Sequence, residues 1–133
     1  MTAQLPILAL HHIARVTGRP EESKAFYRDV LGFREIQRPP FDFRGAWLYS
    51  YGVQIHIIED QEAAPDPHRD INPRGDHLAL HVDDVEVAKR QLCQLGIEYL
   101  EQVNAGGIHQ VFFRDPDGHL VEIAEYGPTP EEL

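Results

Sequence analysis

Cysteine is nearly absent from this sequence. Cys93 stands alone among 133 residues, which excludes an internal disulfide and fits a reducing compartment. Positive charge is also scarce: Lys and Arg number 12 against 22 Asp and Glu, a net charge of −10. No basic cluster occurs anywhere, so nucleic acid and anionic membranes are poor partners. Long apolar runs are missing as well. The opening stretch "MTAQLPILALHHIARV" has no basic n-region and no A-x-A cleavage site, and two histidines break its apolar run. It reads as neither a signal peptide nor a membrane span, and the expectation is a soluble cytoplasmic protein. What is present, 42% hydrophobic and 26% charged residues, is enough for one compact domain with a buried core.

Along the chain, residues 7–17 alternate loosely and read as a strand. "RPEESKAFYRDVLG" then carries Pro20 near a helix start, acids in its first turn, and Ala25, Phe26, Val30 and Leu31 at helical spacing; Gly32 stands where a helix stops. "FREIQ" is a short strand, "RPPFDFRG" a loop punctuated by Pro and Gly, and "AWLYS" and "GVQIHIIE" are strands. Residues 60–75 are polar, carry three prolines and read as a linker. "DHLALHV" is the next strand and "DDVEVAKRQLCQLG" a helix with an Asp cap and a terminal Gly96; "IEYLEQV", "HQVFFR" and "HLVEIAEY" are the last strands. The tail "GPTPEEL" is expected to be mobile.

This order is strand, helix and three strands, twice. His12-Ile-Ala opens the first half and His77-Leu-Ala the second; His12 to His56 spans 44 residues, and His77 to Glu122 spans 45. Leu31-Gly32-Phe33 and Leu95-Gly96-Ile97 fall at matching places, and Gly52 and Gly118 each stand four residues before His56 and Glu122. An internal duplication is the economical reading, with modules at 7–59 and 76–126.

The duplication puts a potential metal ligand at four matched positions: His12, His56, His77 and Glu122. Glu122 is conspicuous because a carboxylate inside "LVEIA" is costly unless something pairs with it or coordinates it. Strand alternation sets Ala79 and His81 on the face of His77, Gln54 and Ile58 on the face of His56, and Leu120 and Ala124 on the face of Glu122. In these three strands the opposite face is the more apolar, and a helix should cover it. The first strand is less clean, since Leu8, Leu10 and Val16 share the side of His12. Imidazoles with a carboxylate suit one divalent Zn, Mn, Fe, Co or Ni ion, and such a cation compensates the charge of Glu122.

The stretches "HHIARV", "SKAFYRDVLGF", "VQIHIIE", "GDHLALHVDDVE" and "FFRDPDGHLVEI" cover nearly the whole chain. Together they resemble the vicinal oxygen chelate superfamily, which includes glyoxalase I, fosfomycin thiol transferases, extradiol dioxygenases and bleomycin-resistance proteins. "RPPFDFRGAWLYSYG" looks most like the small glyoxalase-I-like proteins. The resemblance implies an α+β fold of two βαβββ modules forming a cupped mixed sheet around one metal, with ligands at His12, His56, His77 and Glu122. It also implies a metal-dependent lyase or isomerase that takes a small substrate through vicinal oxygens. Each half presents an exposed sheet face and edges that a second module must cover, so a homodimer is expected. Two departures stand out. Glyoxalase I usually has a carboxylate where this chain has His56, and its glutathione-contacting arginine would fall at Val16, with Arg15 one residue off and on the wrong face. The subset His12, His77 and Glu122 also matches thiol transferases of the fosfomycin type and the two-His-one-carboxylate triad of iron dioxygenases. A non-catalytic drug- or metabolite-binding protein is the reading from a different class.

Glu122 and His81 are the candidate proton-transfer groups. His11, His68, His109 and His119 read as solvated edge, linker or turn residues, and Asp83 and Asp84 as a helix cap. "DPDG" reads as a hairpin turn, Cys93 as buried and inert, and Arg38, Arg44 and Arg114 as candidates for an anionic substrate.

Overall fold

A computed structural model describes residues 3–126, so the tail expected to be mobile lies outside the described residues. The chain divides into two compact units, with the boundary between Ala64 and Pro65. The first holds β1 (His12–Thr17), α1 (Pro20–Ala25), a π-helical turn (Phe26–Val30), β2 (Arg34–Ile36), β3 (Gly45–Ser50) and β4 (Val53–Glu59). The second holds β5 (His77–His81), α2 (Val85–Gln94), β6 (Tyr99–Val103), β7 (His109–Arg114) and β8 (Leu120–Ala124). Each is a βαβββ module, and the fold is α+β. No helix among the described residues is long and apolar enough to cross a membrane.

The two sheets have the same topology, β1-β4-β3-β2 and β5-β8-β7-β6. In each the first and last strands pair in parallel and the others antiparallel. The registers also repeat. Ala14 stands opposite His56, and Ala79 opposite Glu122. His12 and His77, two residues upstream on the same strand face, become the diagonal neighbours of His56 and Glu122. The "H-x-A" signature thus has a structural reason: the small alanine leaves room where the histidine and its diagonal partner meet.

The other faces are apolar and close-packed. Val53, Ile55 and Ile57 of β4 are buried with Leu48, Tyr27 and Phe33, and α1 packs on β3 and β4. In the second unit Val85 and Leu92 of α2 are buried along with Val111, Phe113, Val121 and Ile123, and α2 packs on β7. Each fully buried large side chain contributes roughly 1.5–3 kcal/mol by removal from water.

Several expectations need correction. The first strand starts at His12 rather than residue 7 because its partner β4 begins only at Val53, after the turn at Tyr51-Gly52; the amide of Gln54 reaching the carbonyl of His11 at 3.4 Å is the last contact. The first helix is not α-helical to Leu31. From Phe26 it widens to a π turn, with the amide of Leu31 bonded to the carbonyl of Phe26. The wider turn buries the adjacent pair Phe26 and Tyr27, and Val30 is only half-buried. Cys93, expected in the core, is exposed, because one residue past the buried Leu92 turns about 100° around the helix. His119 is not solvated: it is half-buried, and its Nε2 is enclosed without a hydrogen-bond partner. His109 is tied to Glu101 at 3.3 Å.

Turn and cap chemistry follows the sequence. The Asp84 carboxylate accepts from the amides of Glu86 and Val87 at 2.9 and 3.2 Å, a cap worth about 1 kcal/mol. In "DPDG", Asp115 Oδ1 accepts from the amides of Asp117 and His119, both at 2.9 Å. Gly118 closes that turn at φ 95°. A Cβ there would lie 2.1 Å from the carbonyl oxygen of Asp66, whereas one at Gly96 (φ 71°) would meet nothing within 4 Å. Gly96→Ala is therefore expected to cost only the left-handed conformation, about 1–2 kcal/mol, and Gly118→Ala clearly more, because backbone must move. Urea unfolding of both variants checks the order; equal losses would mean that the Asp66 approach is unimportant.

Candidate metal site

In the first unit, His12 and His56 meet through their diagonal register. Their rings stack with centroids 3.9 Å apart and 10° between planes, and the indole of Trp47, opposite His56 in the register, stacks on its other face at 4.1 Å. His56 is thereby buried, 6% exposed, and its Nε2 lies 2.8 Å from Gln54 Oε1. That acceptor holds the Nε2 hydrogen and leaves Nδ1 with a lone pair. His12 and His11 are exposed, with their Nδ1 atoms 2.9 Å apart. One donor atom from each of His11, His12 and His56 lies within 4.8 Å of the others.

In the second unit, His77 and Glu122 meet in the same way. His77 Nδ1 lies 2.7 Å from the carbonyl oxygen of Gly75. A carbonyl only accepts, so Nδ1 carries the hydrogen and a neutral ring has its lone pair on Nε2. That Nε2 lies 3.5 Å from Glu122 Oε2. A lone pair and a carboxylate oxygen at this distance repel unless a cation, either a proton or a metal ion, stands with them. Glu122 is buried, 2% exposed; its Oε1 accepts from Gln110 Nε2 and its Oε2 from the hydroxyl of Tyr126. Such partners orient metal-ligating side chains. The donor set, the fixed tautomers and the orienting bonds all fit a borderline divalent ion.

A model of the Glyoxalase/Bleomycin resistance protein/Dioxygenase superfamily matches residues 9–123. The chain belongs to this superfamily. It is 36% identical over 135 aligned positions to "Glyoxylase I 4" of Arabidopsis thaliana, covering 95% of this chain and 75% of that protein. It is 26% identical to the lactoylglutathione lyase of Pseudomonas putida, covering 83% of this chain and 79% of that one. Among solved structures, the glyoxalase family protein of Enterococcus faecalis superposes with a TM-score of 0.66 at 30% identity, covering 88% of this chain and 97% of that one. These relatives support a glyoxalase-like function.

The remaining residues sort by their contacts with that superfamily in view. His81 Nδ1 accepts from the amide of Tyr126 at 2.9 Å, so a neutral His81 offers Nε2–H as a donor and has no free lone pair. Arg15 turns away from the His12 face, its Nε 3.1 Å from the hydroxyl of Tyr27, as its place on the opposite strand face requires. The three arginines considered for an anionic substrate are engaged: Arg44 with Glu59 at 2.6 Å, Arg114 with Glu98 at 3.0 Å, and Arg38 over the rings of Phe41 and Phe43.

Sequence reasoning passed over Gln110, Tyr126, Trp47 and the ring of His11. Tyr126 was detectable, four residues past Glu122 and on its side by alternation. Gln110 and Trp47 were not, because both reach the site across strands, through the β7–β8 and β3–β4 registers. Burial, aided by His12 and then His11, lowers the His56 pKa to about 4, and burial first, then its bond to Glu122, raises that of Tyr126. Tyr126 thus stays a hydroxyl donor at neutral pH.

For His56 the sign follows from linkage. The unfolded chain, with an ordinary value near 6.5, takes up the proton first as pH falls. Its contribution to stability is therefore complete above about pH 6.5 and is lost progressively down to about pH 4. Urea midpoints measured from pH 8 to pH 4 are expected to fall less steeply below pH 6.5 in His56→Gln than in the unmodified chain. Identical slopes would show that His56 is not held neutral.

Proposed function

We propose that this protein is a metal-dependent, glyoxalase-I-like lyase or isomerase acting on a small substrate with adjacent oxygens. The observation that carries this reading is the buried Glu122 carboxylate 3.5 Å from His77 Nε2, in a chain of the glyoxalase superfamily. His12 and His56 of the first unit and His77 and Glu122 of the second are the ligand candidates for a divalent ion (Zn, Ni, Mn, Fe or Co). When bound, such an ion supplies Lewis-acid polarisation of substrate oxygen.

The chain's own groups do the rest. Glu122 is the base: it removes a proton from the hydroxyl-bearing carbon beside a carbonyl and returns it to the former carbonyl carbon, while the hydroxyl proton passes to the former carbonyl oxygen, which together balance an isomerisation. Gln110 and Tyr126 keep its two oxygens aimed during that exchange. His81, with hydrogen on Nε2, serves as a donor to substrate oxygen rather than as a second base. With a histidine at position 56 the site has one ligand carboxylate instead of two, so proton movement in both directions falls to Glu122. The absence of an arginine at the Val16 position argues for a substrate other than a glutathione adduct. The compartment we infer is the cytoplasm.

The test combines stability and turnover. Excess Zn²⁺, Ni²⁺ or Mn²⁺ is expected to raise the unfolding midpoint of the unmodified chain, by the equivalent of about 2.7 kcal/mol at a hundredfold excess over Kd. Glu122→Gln should lose most of that gain, and at least about a hundredfold in turnover of aldehyde–thiol adducts or related α-hydroxycarbonyl compounds. A midpoint indifferent to every metal, beside a variant equally or more stable, would leave Glu122 as merely a buried acid.

We also infer a homodimer. Strands β1, β2, β5 and β6 are edges of their sheets, and the His12 and His77 faces of β1 and β5 are exposed; open edges and faces of this kind are what a second copy covers. Sedimentation at micromolar concentration is expected to give twice the chain mass, and a monomer would overturn the inference.

A further inference from the structure

The face of the first sheet that carries His56 differs in charge from the rest of the chain. With 22 acids to 12 bases the sequence has a net charge of −10, yet no strand residue on this face is acidic. Alternation puts Glu35 and Glu59 on the opposite face, where Glu35 reaches Lys24 of α1 at 3.7 Å. Arginine collects instead. Arg34 stands opposite Tyr49, with its guanidinium over that ring at 5.5 Å. The β2–β3 register pairs Arg34 with Tyr49 and Ile36 with Trp47, and continuing it brings Arg38 opposite Gly45. Arg38 Nη2 does lie there, 3.4 Å from where a Cβ on Gly45 would stand.

The geometry points to a shelf on this face that binds a planar anion, an aryl carboxylate or a conjugated acid of similar shape. Phe41 and Phe43 stack at 5.1 Å and 12°, and are 44% and 37% exposed. Arg38 Cζ lies 5.0 Å from each of their centroids, a reach that suits an acid group attached directly to a stacked ring. Stacking engages the faces of the guanidinium and leaves its edge. One Nη2 hydrogen is bonded, to the carbonyl of Phe43 at 2.6 Å, which fixes the fork before a ligand arrives. The ion pairs among the described residues leave Arg38 out, although Asp42 stands between the two phenylalanines in sequence. An incoming carboxylate can therefore take two of its parallel N–H groups. The aromatic floor continues from Phe41 to Trp47, 6.3 Å away, and Trp47 stacks on His56. Rings to lie on and a fork to hold charge are what a planar anion requires. The shelf occupies the β2–β3 side of the sheet, away from the β1 edge. In the proposed reaction it selects α-hydroxycarbonyl compounds with a planar, acidic substituent. That use rests on the lyase reading; binding to the shelf does not.

The experiment uses the full chain with EDTA present and follows the emission of Trp47, the single tryptophan, during titration with para-nitrobenzoate, a planar anion that quenches indole. We expect saturable quenching, with binding of the neutral para-nitrobenzamide weaker by about tenfold or more. Cyclohexanecarboxylate, anionic but not planar, should not displace the nitrobenzoate. Arg38→Gln should erase the preference for acid over amide, and Phe41→Leu should weaken both. Arg90→Gln, exposed on α2 of the second unit, should change neither. Comparing the ligands on the unmodified chain does not depend on how any variant folds. The shelf is overturned by an absence of quenching, by equal binding of acid and amide, by displacement with cyclohexanecarboxylate, or by an Arg38→Gln variant that keeps the preference. Because metal is withheld, the two readings fail separately. Metal-dependent turnover without nitrobenzoate binding would remove the shelf alone, and nitrobenzoate binding without any turnover would remove the lyase reading and leave the shelf standing.

Discussion

A carboxylate taken out of water must find replacements for the water it loses. Glu122 stands at the centre of β8, a strand buried from end to end, and the surrounding architecture supplies those replacements. Gln110 and Tyr126 each donate to one of its oxygens. His77 approaches with its other nitrogen already committed to the carbonyl of Gly75. Two donors orient the group, but they do not neutralise it, and the histidine that faces it does so only when a proton or a metal ion sits on its Nε2. What the arrangement calls for is positive charge.

The first unit solves a related problem with the same backbone and different chemistry. Its parallel strand pair sets His12 and His56 in the diagonal relation that joins His77 to Glu122. Here no carboxylate needs compensation. His56 is instead kept neutral by burial between an indole and a second imidazole, and a neutral imidazole is the form that ligates a metal. A duplicated topology has thus diverged into an all-imidazole half and a half with one carboxylate. For proton-transfer chemistry that division concentrates basicity on Glu122, and the tautomer of His81 reinforces it by offering a donor.

Much of this was legible from residue order. The paired "H-x-A" openings and the near-equal ligand spacing revealed the duplication, and strand alternation placed the ligand candidates opposite the apolar faces. The Asp84 cap and the "DPDG" turn were readable because they are local: the donor and acceptor lie within four residues of each other. The failures have a common cause. The end of β1, the π turn at Phe26 and the exposure of Cys93 each depend on what packs or pairs from elsewhere, and propensity yields to that. Gln110 and Trp47 join their sites only through antiparallel registers, which a one-residue slip would have turned to the opposite face.

By itself, then, the sequence determined the repeat, the α+β class, the superfamily and the four positions at which a ligand-capable residue recurs, because periodicity and spacing along the chain carry that information. Tertiary structure decided which nitrogen of each histidine is free, which donors hold Glu122, and that His11 turns toward His12 rather than away. Those outcomes hinge on hydrogen-bond partners brought in by strand pairing and on a strand that ends one residue short of His11. No local rule encodes either.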